Sequence, residues 1–221
     1  KVAGGDHAVG VSADPNSQSL KTVVKRMPGE PDELFHERVF RDGQEKYEPC
    51  EALDAACKTY REKLGLPDPK IDDWTGIEAP YDRAEVIGGM FSELKSDPSN
   101  PEVKAAYSEL VHQTQAQWDL LTKPEAEGGL GIKVDFVTPE DIARDYGDPE
   151  GLNPYNTAEE QARDLRDNKH LAIATLASYP EAYHPILGNE QGGTYDMFRA
   201  VHDAFGHAAV GTDFSRHGEY Q

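Results

Sequence analysis

Cysteine is scarce: Cys50 and Cys57 are the two in 221 residues. They lie seven positions apart in a stretch of helical spacing, hence about two turns or 10 Å apart along an axis. A disulfide needs Cα atoms closer than about 7 Å, so both are expected as small, reduced core residues in a reducing compartment. Long apolar runs are also missing. None approaches the roughly 18 residues of a membrane-spanning helix, and no basic–apolar–small leader pattern opens the chain. Cations are few: 22 Lys and Arg stand against 41 Asp and Glu, a net charge of −19. Nucleic-acid binders concentrate Lys and Arg, so this balance argues against recognition of nucleic acid through a basic surface. A solvated acidic face that keeps the chain soluble is the plain reading; salt adaptation and metal binding are the others. P-loop, G-x-G-x-x-G, G-x-S-x-G and H-E-x-x-H patterns are absent, and neither cysteine has a histidine at zinc-knuckle spacing.

What is present suits a folded domain. A chain of this length buries about 70% of its surface on folding, and 20 Gly with 15 Pro exclude collagen and low complexity. Lys1 is not an initiator Met, so the chain is expected to be processed or part of a longer one. Residues 1–47 lack sustained periodicity and read as an irregular N-terminal arm with a short strand near Lys21–Lys25. Apolar spacing of i, i+3 and i+4 predicts helices over 48–66, 81–95 and 101–122, the last with Pro101 in its first turn.

The pattern then changes. Ile132, Val134 and Phe136 alternate with polar residues, and Leu171–Leu176 is a short apolar run, so strands are expected at 132–137 and 171–176. Thr138-Pro139-Glu140-Asp141 starts a short helix, Thr157 with Glu160 caps another, and Thr194 caps a last one reaching about His207. The expected fold class is α+β: a mainly helical N-terminal half and a mixed α/β C-terminal half with a short sheet. Arm, helical region 48–125 and mixed region 126–221 together are expected to form one compact domain.

The loudest chemistry is Phe198-Arg199-Ala200-Val201-His202-Asp203-Ala204-Phe205-Gly206-His207. Residues five apart on an α-helix differ by about 140°, so His202 and His207 would not share a face. Gly206 suits a helix end or break, which would swing His207 back beside His202. Two imidazoles and one carboxylate make the facial set of non-haem Fe(II) sites and also suit Zn(II).

This block resembles the H-[DE]-x-x-G-H iron-binding motif of the aromatic amino acid hydroxylases, where both histidines bind iron together with a more distant Glu. The likeness extends to Phe214-Ser215; Ala209 replaces the proline usual in that family. The chain is also similar, over about residues 105–221, to a poorly characterised group of phage-encoded and bacterial proteins. The blocks that carry this likeness are Ala106-Tyr107 through Leu110, Thr114 with Ala116-Gln117-Trp118, Asp164–Lys169, Tyr195–Ala208 and Gly218-Glu219. The resemblance implies a phage context, in the host cytoplasm or the virion, with other phage proteins or further copies of the chain as partners; members of the group continue beyond Gly218-Glu219.

The expected metal residues are therefore His202, His207 and Glu219, holding Fe(II) or Zn(II), with His217 competing with Glu219 for the third place. Hydrogen-bonded core histidines closing a helix are the alternative for the pair. Asp203, pointing off the face of His202, is expected to support that ring from behind or to stand at the surface. Arg199 is a surface cation or a clamp for substrate. Asp164, Arg166 and Asn168 read as helix-end polar groups, with a polar site as the alternative, and His112 as a structural residue on an apolar face. His7, His36, His170 and His184 carry no spacing signal. Two functions follow as expectations: a metal-dependent enzyme of the mononuclear non-haem iron oxygenase type, or a phage virion or accessory protein whose His motif is structural or binds a structural metal.

Overall fold

A computed structural model describes residues 7–9, 20–21, 23–25, 28–34, 45–67, 81–95, 97–151, 153–179, 183–214 and 218–219. The strands are β1 (His7–Val9), β2 (Leu20–Lys21), β3 (Val23–Lys25), β4 (Glu45–Lys46), β5 (Lys133–Val137) and β6 (His170–Ala174). The helices used below are α1 (Glu51–Leu64), α2 (Tyr81–Glu93), α3 (Pro101–Thr122), α4 (Ala158–Asn168) and α5 (Thr194–His202). This is an α+β chain in which helices dominate and the parallel sheet has two strands. No described helix is long and apolar enough to cross a membrane.

The chain divides into two compact units, one of Lys1–Glu48, Asp68–Ser96 and Gly211–Gln221, the other of Pro49–Pro67 and Asp97–Val210. The arm expected to be irregular contains paired strands: β1 runs antiparallel to β3 and β2 to β4. In the same unit Tyr47 donates its N–H to Gly211 O at 3.1 Å and its hydroxyl to Thr212 O at 2.9 Å. Helix α2 is amphipathic with its apolar side exposed at Val86, Ile87, Met90 and Phe91, as is Leu94 just after it.

In the second unit the helices obey their local signals. Acidic residues open α1, and Gly65 closes it in the left-handed conformation at φ 66°. Pro101 sits in the first turn of α3, behind an Asn100 side chain that accepts the Glu102 N–H at 2.8 Å. Strand β5 runs from 133 to 137 and pairs in parallel with β6, from Lys133 opposite His170 to Val137 opposite Ala174. A parallel pair needs a crossover, and α4 is its helix. Thr157 caps α4 by accepting the Glu160 N–H, while the Glu160 carboxylate turns to Asn156 N–H instead of closing a reciprocal box. The reciprocal box forms at Thr138 and Asp141.

Leu171, Ala172, Ile173 and Ala174 are all buried, as a parallel strand covered on both faces requires. Removing a side chain such as Leu171 or Ile173 from water stabilises the fold by about 1.5–3 kcal/mol each. Around them Val137, Ile142, Ala172 and Ala174 form a core with Tyr146 and Tyr155 packed against it. β6 stops at Ala174 because Thr175 turns the chain: its hydroxyl bonds Asp196 Oδ2 at 2.6 Å. Asp196, buried at the start of α5, also accepts Leu176 N–H and Gly192 N–H, both at 3.0 Å. One carboxylate thus ties both ends of the intervening loop to α5. Cys50 and Cys57 are free cysteines, Cys50 buried and Cys57 half-buried.

Candidate metal centre

Helix α5 packs along α3 and against β6, and its buried stripe is Ala200, Val201, Ala204 and Ala208. Phe198 and Phe205, apolar positions of the motif, are only half-buried. Small residues four apart let the α5 backbone come close to its neighbours, and a phenyl ring at those positions would hold it off. Phe198 stacks instead beside His202, ring centroids 6.4 Å apart and planes 23° apart.

After His202 the helix widens into a π-turn, Asp203–Ala208, marked by the Ala209 N–H bonding Ala204 O at 3.0 Å. This five-residue closure replaces the break expected at Gly206. Gly206 is not among the glycines in the left-handed region. In a π-turn the residue five positions on comes back near the same side of the helix, so the histidines meet without leaving helical backbone. Their ring centroids are 4.7 Å apart with planes at 80°, and one nitrogen of each lies within 4.8 Å of the other's. His207 is buried and His202 half-buried. The end of the turn is anchored by Cys50, which donates its N–H to Ala208 O at 2.8 Å at the start of α1.

The pair fits a cation. Metal–nitrogen bonds of about 2.0–2.1 Å place two cis ligands roughly 3–3.5 Å apart, reachable from the observed spacing by small rotations of the rings.

Asp203 does not point away from His202. Its Oδ1 lies 3.2 Å from His202 Nδ1, and its Oδ2 accepts the Gln161 amide from α4 at 3.0 Å. Arg199 is not directed at the imidazoles: its guanidinium donates to Ala174 O at the end of β6. Glu219 belongs to the other unit, exposed in a short helical segment after Gly218. Gly218 is required there, because a Cβ would fall 1.9 Å from Asp213 O and no main-chain oxygen can yield that far. His217 lies outside the described residues.

A second polar cluster in this unit takes in Asp164, for which the sequence left a polar site as the alternative, and His170, which carried no signal. His170 places Nδ1 2.6 Å from Asp164 Oδ2 and Nε2 3.2 Å from Asp135 Oδ2. The Tyr155 hydroxyl donates to Asp164 at 2.7 Å and accepts the Ala172 N–H at 2.8 Å. These residues come from α4, β5, β6 and the loop before α4, so no local spacing could announce them. Burial pushes the Asp164 carboxyl up, but hydrogen bonds from Asn168, His170 and Tyr155 outweigh it and hold it below its ordinary value. Burial pushes the Tyr155 hydroxyl well above its usual range. His184 is structural, its Nδ1 accepting Ile186 and Leu187 N–H and its Nε2 facing the Tyr107 hydroxyl. His112 is exposed beside Glu109 and takes no part in the core.

A cleft of about 230 Å³ opens between α1, α3 and the π-turn, lined by Tyr60, Arg61, Gln117, Leu120 and Phe205 among others. Cys57 lines it too, and burial pushes that thiol up to about 11, so it is no nucleophile at neutral pH. Comparison with known proteins finds no matching family model, no matching curated protein and no matching solved structure.

Proposed function

We propose that this chain is a metal-dependent protein that holds one Fe(II) or Zn(II) through His202 and His207. In this reading it works as a mononuclear non-haem iron enzyme of the oxygenase type. The observation that carries it is the face-to-edge pairing of the two imidazoles on a π-turn, one ring buried. π-turns cost hydrogen-bond geometry and gather at functional sites. Two imidazoles supply two of the three donors in the set that leaves coordination positions open on iron.

A bound cation would supply Lewis-acid or redox chemistry and activate a small molecule at its open positions. The protein's own contribution is orientation. Burial of His207 and the stacking of Phe198 beside His202 limit ring motion, and the Ala200, Ala204 and Ala208 packing holds the turn against the core. The cleft that shares Phe205 with the turn suits a small, mainly apolar molecule. The likeness to the phage-encoded group supports a setting in the infected cell or the virion.

Elemental analysis with Fe(II) and Zn(II) titration of wild type, His202→Ala and His207→Ala tests the reading. One equivalent bound by wild type, and loss of at least tenfold in affinity in each variant, is the expected result. Equal, weak binding by all three removes the metal and leaves the accessory-protein reading, in which both rings serve packing. A metal held by four protein ligands with no open position also favours that structural role.

A further inference from the structure

We propose that Gln161 and Asp203 form a positioning relay that sets which nitrogen of His202 carries the proton, leaving Nε2 as the ligand atom; this rests on the metal reading above. The relay runs from α4 into the π-turn. Gln161 is buried at 4% exposure and its Nε2 donates to Asp203 Oδ2 at 3.0 Å. The other oxygen of the same carboxylate, Oδ1, stands 3.2 Å from His202 Nδ1. A carboxylate can only accept, so His202 must place a proton on Nδ1, and its lone pair then lies on Nε2.

The residue types explain why this works. Neighbours in a helix normally diverge, so a free Asp203 would have many rotamers that miss the ring. The amide from α4 holds the carboxylate in one of them. Because the amide is neutral, it fixes Asp203 without cancelling its charge, as Arg or Lys would, and that charge remains available to polarise the imidazole. A carboxylate behind a metal-binding histidine raises the basicity of the ring and fixes its orientation. The site of action also fits: an added Cβ at Gly206 would lie 3.8 Å from His202 Nε2 and 3.5 Å from Cδ2, so the Nε2 edge of the ring lies beside Gly206 in the π-turn.

The test uses metal-free full chain with labelled histidine, at a pH where the rings are neutral, and reads the His202 tautomer from nitrogen–carbon correlation spectra. Wild type should show the Nδ1–H form. Gln161→Met, which keeps shape and loses the donor, should mix in the Nε2–H form, and Asp203→Asn should do so further. Zn(II) affinity should fall about 10- to 100-fold in both. A wild-type Nε2–H tautomer overturns the relay, as does a Gln161→Met protein with unchanged tautomer and affinity. Should Gln161→Met fail to fold, Asp203→Asn alone decides between the same outcomes. The tautomer is read without metal, so a failed relay and a failed metal reading are told apart.

Discussion

At the scale of single residues, Gly206 shows how the same motif can be right in its outcome and different in its cause. A helix-end glycine was the reason to expect the histidines to meet, yet the backbone stays helical and the π-turn does the work. The glycine's remaining role is space beside the His202 ring, where a Cβ would make ordinary contact at 3.5 Å. Gly206→Ala should therefore keep metal affinity within about twofold and raise helix stability by about 0.5–1 kcal/mol. Gly206→Val should lose tenfold or more in affinity, because its γ-methyls press on that ring. Thermal melts with Zn(II) titration of both variants check this, and an equal loss in the alanine variant would restore the helix-break account. Asp203 teaches the complementary lesson. Its identity next to His202 was legible, but its direction depended on Gln161, 42 residues earlier in the chain.

At the scale of elements, α4 and β6 are joined through Asp164. Its carboxyl is held below its ordinary value by Asn168, His170 and Tyr155, so the charged form is favoured in the folded state. A lowered carboxylate contributes stability that is complete above the unfolded value near pH 4 and is lost as pH falls through the folded value. The stability gap between wild type and Asp164→Asn should accordingly be open at about pH 6 and close as pH falls below about 4. Urea unfolding across that range measures it; a gap that persists undiminished at pH 3 would show that the carboxylate's charge plays no part. The elements themselves were largely readable. Helices α1, α2 and α3 and strand β5 fall within two or three residues of the spans that apolar periodicity suggests. Their signals are local: caps, acidic first turns, a proline at a helix start and period-two alternation. The pairing of His170 with Asp135 was not readable, since parallel strands bring together residues separated by a whole helix.

At the scale of the whole chain, the acidic excess dominates. A net charge of −19 opposes compaction through self-repulsion, and salt shortens the reach of that repulsion from about 30 Å at 0.01 M to about 3 Å at 1 M. Surface ion pairs such as Lys58–Asp54 and Lys123–Asp119 lose little in return, because exposed pairs contribute at most about 1 kcal/mol. Raising NaCl from low to about 0.5 M should therefore increase the melting temperature, and a flat or falling curve by calorimetry would show that ion pairing outweighs repulsion. Sequence alone determined the α+β class, most element boundaries, the free cysteines, the charge balance and the identity of the two histidines, because each rests on local periodicity, composition or spacing. Only tertiary structure decided that a π-turn aligns those histidines, that Arg199 serves β6, that Gln161 holds Asp203 and that His170 lies between two carboxylates. Several of those contacts join residues far apart in the chain, and their geometry is set by how α3, α4 and α5 pack, which no stretch of sequence carries by itself.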